Sequence, residues 1–146
     1  MNSVVQIRDI GIIEKELKNN YLGILSYSIE EDKINQIPVT YIYLDKNIYI
    51  LFKEEDERIG IIKYGAPVFF TVIKNETSKE ANKLLLIYKS AVITISGCIK
   101  IVDEQKTIEE IRIEYKKKYK YENISELTKI SMIDTKEFKA FQYSGE

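Results

Sequence analysis

No histidine occurs among the 146 residues of this sequence. That absence removes the Ser-His-Asp and Cys-His nucleophile machines, the HExxH metal helix and histidine-ligated haem. It also removes the one side chain that titrates near neutral pH without help from its surroundings. An enzyme built on this chain would therefore lean on a cofactor for its chemistry. Cysteine is nearly as scarce. Cys98 stands alone, so an internal disulfide, a CxxC redox pair and a cysteine-rich zinc site are excluded, and a reducing, cytoplasmic setting is expected. The six glycines are scattered, with neither GxGxxG nor GxxxxGK[ST] among them, which removes the Rossmann and P-loop readings. No stretch approaches the ~18 uncharged apolar residues of a membrane span, and residues 1–9 carry no signal-like apolar run. The net charge of −1 is too small to draw the whole molecule to nucleic acid or to an anionic membrane.

What is present is a globular composition. With 45% hydrophobic and 31% charged residues, the chain lies far from the low-hydrophobicity, high-charge regime of disorder. A chain of this length can bury about 68–70% of its unfolded surface, and one domain over residues 1–146 is expected. Asp9 is placed to cap a first helix with Ile10, Ile13 and Leu17 on one face, ending near Asn19 and Asn20. Strands follow at residues 23–29 and 37–44, the second with Pro38 near its start, where proline disturbs a ladder least. Residues 45–47 read as a hairpin loop and residues 48–52 as the returning strand, apolar throughout and so covered on both faces. Asp56 then N-caps an expected two-turn helix through Ile59, Ile62 and Lys63, stopped by Gly65 and Pro67.

Residues 68–73 form another strand and residues 75–83 a polar loop. A long strand over residues 91–102 turns Ala91, Ile93, Ile95, Gly97, Ile99 and Ile101 inward. Thr107 and Glu110 make a capping box for a helix whose inner face is Ile108, Ile111, Tyr115 and Tyr119. A short turn of helix at residues 125–129 and closing strand structure within residues 130–143 complete the chain. Strands, then a helix, then strands give an α+β, mainly β, antiparallel architecture.

Lysines and tyrosines interleave in Tyr115-Lys116-Lys117-Lys118-Tyr119-Lys120-Tyr121, as they do on some nucleic-acid surfaces. The helix register sends the tyrosines inward, so the lysines are expected on a solvated face, with no nucleic-acid partner. Carboxylates cluster only at residues 30–32 and 54–57, as turn acids without apolar surroundings, and no side chain stands out as an acid–base catalyst. Cys98, in the middle of a strand, reads as packing.

The order of Gly23-Ile24-Leu25-Ser26, Ile37-Pro38-Val39-Thr40-Tyr41, Ile48-Tyr49-Ile50-Leu51-Phe52, a polar turn with Arg58, Ala66-Pro67-Val68-Phe69-Phe70 and Tyr88-Lys89-Ser90-Ala91-Val92 before Gly97 resembles one family. That family is the pyridoxamine 5′-phosphate oxidase-like flavoproteins, in the branch that includes nitroimidazole-reductase-like proteins. The likeness spans about residues 10–143. It implies a six-stranded antiparallel split β-barrel with flanking helices, working as a homodimer that holds flavin mononucleotide (FMN) in a groove between protomers. By position, Val39, Thr40 and Tyr41 would lie along the flavin ring, with Leu51, Phe52 and Lys53 near its edge and ribityl chain. Arg58 would grip the phosphate, aided by the N–H groups of a helix opening after Asp56, and Tyr88 and Ser90 would contribute to the groove. The implied activity is that of a flavin-dependent oxidoreductase acting on a small-molecule substrate or electron acceptor. The acidic run at 54–57 and the bulk of Phe52 keep a second reading open: a non-enzymatic split-barrel protein that has lost flavin and uses the groove for another ligand or partner.

Overall fold

The structure, a computed structural model, describes residues 3–58, 62–79 and 86–145. In chain order its elements are β1 (Ser3–Gln6), α1 (Ile10–Asn19), β2 (Gly23–Glu30), β3 (Lys33–Val39), β4 (Tyr41–Leu44) and β5 (Asn47–Phe52). They continue with β6 (Pro67–Lys79), β7 (Leu86–Ile101), α2 (Gln105–Tyr119), a single 3-10 turn (Ile124–Glu126) and β8 (Lys129–Gly145). The eight described strands form one antiparallel sheet in the order β3-β2-β6-β7-β8-β5-β4, with β1 paired to β8. The α+β, mainly β, class is therefore as expected, but with eight strands where six were expected. Two features account for the difference: the short, exposed β1, and a break at Thr40 that divides one expected strand into β3 and β4. Strands β3 and β4 lie at opposite ends of the sheet and are consecutive in the chain, so one stretch of backbone supplies both ends.

Local chemistry explains most elements. Asp9 caps α1, its Oδ1 accepting from the Gly11 and Ile12 amides at 2.9 and 3.4 Å, an interaction worth about 1 kcal/mol. Only Ile13 and Leu17 of the expected face are buried; Ile10 belongs to an exposed first turn. The β4–β5 connection is a two-residue turn in which Asp45 and Lys46 both have positive φ, 48° and 67°, the type I′ geometry that matches strand twist. Pro38 falls near the end of β3, not its start. As β3 is an end strand of the sheet, proline is tolerated there.

Other expectations change. Residues 75–79 continue β6 and pair with 86–90, so this part of the stretch expected as a polar loop is strand, and residues 80–83 lie outside the described residues. The two-turn helix expected after Asp56 falls partly on residues 59–61, outside the described residues, and the described positions on either side are not helical. Helix α2 starts ahead of the Thr107 capping box, with Glu104 at its N-cap making no side-chain cap bond. The region expected to close the fold is one strand of 17 residues that pairs with β1, β5 and β7.

The strand alternation creates two cores. Leu25, Val39, Tyr41, Ile50, Phe52, Phe70, Ile93, Ile95 and Ile99 meet inside the sheet, together with Ile13 and Leu17 of α1. On the sheet's other side, Ile111 and Tyr115 of α2 pack on Ile42, Tyr49, Leu51 and Ile130. The β5 strand thus faces apolar surroundings on both sides, as its uninterrupted pattern requires. Two glycines are steric necessities. A Cβ on Gly23 would stand 2.0 Å from the Phe70 ring, and one on Gly97 2.2 Å from the Asp134 carbonyl oxygen. Ile101, expected to face inward, is exposed at the end of β7. The outward face of β6 and β7 carries exposed Phe69 and Ile73 opposite Ser96 and Val92, and Val92 in turn pairs with Phe141.

Candidate functional site

The break at Thr40 is the junction of both helices and both ends of the sheet. Val39 and Tyr41 are buried in the inner core, while the Thr40 hydroxyl lies 2.9 Å from that of Tyr115 on α2. Tyr41 donates its hydroxyl to the Leu17 carbonyl, satisfying one of the acceptors that a helix end leaves open. Its backbone is engaged by α2. The Tyr41 amide donates to Tyr119 Oη at 3.0 Å, and Lys118 Nζ donates to the Tyr41 carbonyl at 3.2 Å. The single Tyr119 hydroxyl proton has two acceptors in reach, Tyr21 O at 2.8 Å and Tyr41 O at 3.0 Å. Burial pushes the Tyr119 phenol up to about 12 and Tyr41 further still.

Lys118 departs from its expected solvated face. Its ammonium sits 4.0 Å from the centroid of the Tyr41 ring and within 6 Å of Tyr21 and Tyr119, and burial pulls it down to about 8. The signal for this was in the helix period: Ile111, Tyr115 and Lys118 stand at i, i+4 and i+7, one stripe of a helix. Lys116 and Lys117 are exposed as expected.

Arg58 lies in a turn against the edge of the inner core. Its Nε and Nη2 bind the Asp56 carboxylate at 3.0 and 2.6 Å, and Nη1 donates to the Pro38 carbonyl at 3.2 Å. The guanidinium stands 5.4 Å from the Phe52 ring centroid. Hydrogen bonding from Arg58 holds the Asp56 carboxyl below its ordinary range. Nearby cations are likewise paired, Lys53 with Glu126 and Lys129 with Glu54, both at 3.4 Å. The fold therefore gathers Arg58, Phe52 and the end of β3, and places Lys53 immediately beside them. Leu51 points the other way, beneath α2. Ser90 is on β7, donating to Asn75 Oδ1 at 2.6 Å; Tyr88 pairs through its backbone with Thr77 and Gly145.

A flavin phosphate brought to Arg58 would meet the Asp56 carboxylate already in the fork of the guanidinium, among Glu54, Glu55 and Glu57 in the same turn. A ring laid along residues 39–41 would find the Tyr41 amide and carbonyl engaged by α2. As arranged, these residues do not fit the phosphate. Among the described residues no cluster of side chains suited to a metal ion occurs.

A sheet whose two ends are consecutive strands, with one helix against its inner core and another outside it, is a fold this chain shares with solved structures of other proteins. A putative 5-nitroimidazole antibiotic resistance protein from Bacteroides thetaiotaomicron superposes with a TM-score of 0.79 at 10% identity, over 99% of this chain and 90% of that one. The FAD binding protein from Mycobacterium smegmatis gives 0.68 at 9% identity, over 97% and 99% of the two chains. A putative pyridoxamine 5′-phosphate oxidase from Corynebacterium glutamicum gives 0.64 at 17% identity, over 98% and 96%. At these identities the likeness is one of fold. No protein-family model matches the sequence, and no curated protein matches it. No helix among the described residues is long and apolar enough to cross a membrane.

Proposed function

We propose that the chain is a single-domain split β-barrel protein that binds a flavin in a groove completed by a second copy of itself. In this reading it is a cytoplasmic, flavin-dependent oxidoreductase acting on a small-molecule substrate or electron acceptor. The observation that carries it is the likeness of fold, over nearly the whole chain, to proteins named for FAD binding, pyridoxamine 5′-phosphate oxidation and nitroimidazole resistance. The position of β3 and β4 at the two ends of the sheet supports closure into a barrel. The uncovered face bearing Phe69 and Ile73 supports pairing with a second copy, since an apolar patch of that kind marks an interface.

A bound flavin would supply electron transfer that the side chains of this chain cannot. The backbone of Val39, Thr40 and Tyr41 would border its ring, with Phe52 and Lys53 at the edge and Leu51 buttressing the strand from behind. Tyr88 and Ser90 would contribute from β7. FMN is the expected form, with Arg58 on its phosphate after Asp56 yields the guanidinium. Titration of the protein with FMN, FAD and riboflavin, followed by flavin fluorescence, tests this reading. Saturable quenching by FMN is expected, weakened about tenfold in R58A, a loss typical of one charged contact. A protein that leaves all three fluorophores unchanged would be the non-enzymatic split-barrel protein instead, a reading that the Asp56–Arg58 pair favours. In sedimentation, a dimer is expected for the wild type and a monomer for F69E.

A further inference from the structure

A cleft of about 500 Å³ opens between α1, β4 and α2, with Lys18, Lys117, Lys118 and Glu114 around an apolar wall of Ile42, Tyr43 and Leu44. Its volume lies in the range of small-molecule sites, roughly 300–1,000 Å³. Three lysines against one glutamate make it a basic spot on a molecule whose net charge is −1. Lys117 reaches Glu114 at 3.6 Å across one turn of exposed helix, a pair too solvated to hold either charge firmly. Lys118 is the half-buried member. It gives one N–H to the Tyr41 carbonyl, and among the described residues its other two find no acceptor. Deep in the wall, the Tyr43 hydroxyl is buried close to the Glu14 carboxylate. Burial, with the Glu14 carboxylate adding to it, pushes that phenol up to about 12, so it remains an O–H donor at neutral pH.

We propose that this cleft binds a small ligand bearing a phosphate or carboxylate on an apolar body, the anion held by Lys18, Lys117 and Lys118 and the body by Ile42 and Leu44. An anion there supplies the acceptors that Lys118 lacks and the charge that its burial leaves uncompensated. Glu14 and Glu114 limit how far a highly charged ligand enters, which favours a ligand with one anionic group. The site is separate from the Arg58 turn and stands whether or not a flavin binds. It also gives the lysine-tyrosine run of α2 a role other than nucleic-acid binding.

The test is titration with inorganic phosphate and, separately, with hexanoate at low salt and pH 7, read by amide NMR shifts around Leu44 and Lys118. Saturable shifts are expected with one or both anions, and the tighter of the two identifies the chemistry of the natural group. Replacing two exposed lysines, in K18Q/K117Q, should weaken binding about tenfold or more, while R58A leaves these shifts in place. K118M should abolish them; if that variant does not fold, the double variant decides. At pH 8, calorimetry in two buffers should record proton uptake on binding, as the anion restores the Lys118 charge. Absence of saturable shifts with both anions, or equal weakening by R58A, would overturn the proposal. Displacement of phosphate by a single-stranded oligonucleotide at far lower concentration would replace the small ligand with nucleic acid.

Discussion

Two basic regions of this molecule differ in what surrounds their cations. In the turn from Lys53 to Arg58 every described cation has a carboxylate partner, with Arg58 held in a fork by Asp56 and Lys53 by Glu126. In the cleft beside Tyr41, Lys118 has aromatic rings and a single carbonyl instead. The contrast teaches that counting positive residues does not find an anion site. A guanidinium already satisfied by a carboxylate gains little from a second anion, whereas an ammonium short of acceptors gains much.

The largest expected effect falls on the junction between the two regions. Y119F leaves the Tyr41 amide without its acceptor, a loss of about 1–3 kcal/mol, measurable as a lower urea midpoint with an unchanged slope. If stability is unaltered, the hold of α2 on Thr40 and Tyr41 is not structural, and the contrast loses its basis.

Next comes alkaline pH. Lys118 binds its proton less tightly when folded, at about 8, than its ordinary 10.5, so its contribution to stability grows as pH rises from about 8 to 10.5. Tyr119 and Tyr43 are shifted the other way, up to about 12, so they lose stability as pH rises above 10. Wild type should therefore gain Tm relative to K118M between pH 8 and 10, and both should fall beyond that. Parallel profiles would show Lys118 to be as solvated as its neighbours.

A smaller change is expected in the turn. D56N releases the Arg58 fork and removes a negative charge, raising FMN affinity about three- to tenfold. Unchanged affinity would show that the guanidinium is not part of the site. The least effect belongs to E54Q, which breaks an exposed pair with Lys129 and should leave Tm unaltered in thermal melts.

Much of the fold was legible because its signals are local. Asp9 before an amphipathic run, the apolar run ending at Phe52, and the alternation from Ile93 to Ile99 each report burial directly. The break at Thr40 was not legible, because Val39, Tyr41 and Tyr43 keep a strand's alternation across it. The division arises from which strands pair on either side. The continuation of β6 past Asn75 was hidden because a run of polar residues carries no apolar alternation, and its strand character comes from backbone pairing with β7. Of the candidate site, the family resemblance assigned Arg58 and Phe52 to one groove, but it could not show that Asp56 closes the fork. Lys118 was missed for the opposite reason: a charged residue on a buried stripe reads as solvated unless the rings around it are known.

The sheet is assembled from two hairpins, β2–β3 and β4–β5, and the three-strand run β6-β7-β8, joined side by side where β2 meets β6 and β5 meets β8. During synthesis, these two hairpins leave the ribosome with the flank of β2 unpaired until β6 arrives and the flank of β5 unpaired until β8 arrives. Nascent chains stalled before Lys129 should accordingly depend on chaperones and aggregate without them, whereas chains in which β8 has fully emerged should not.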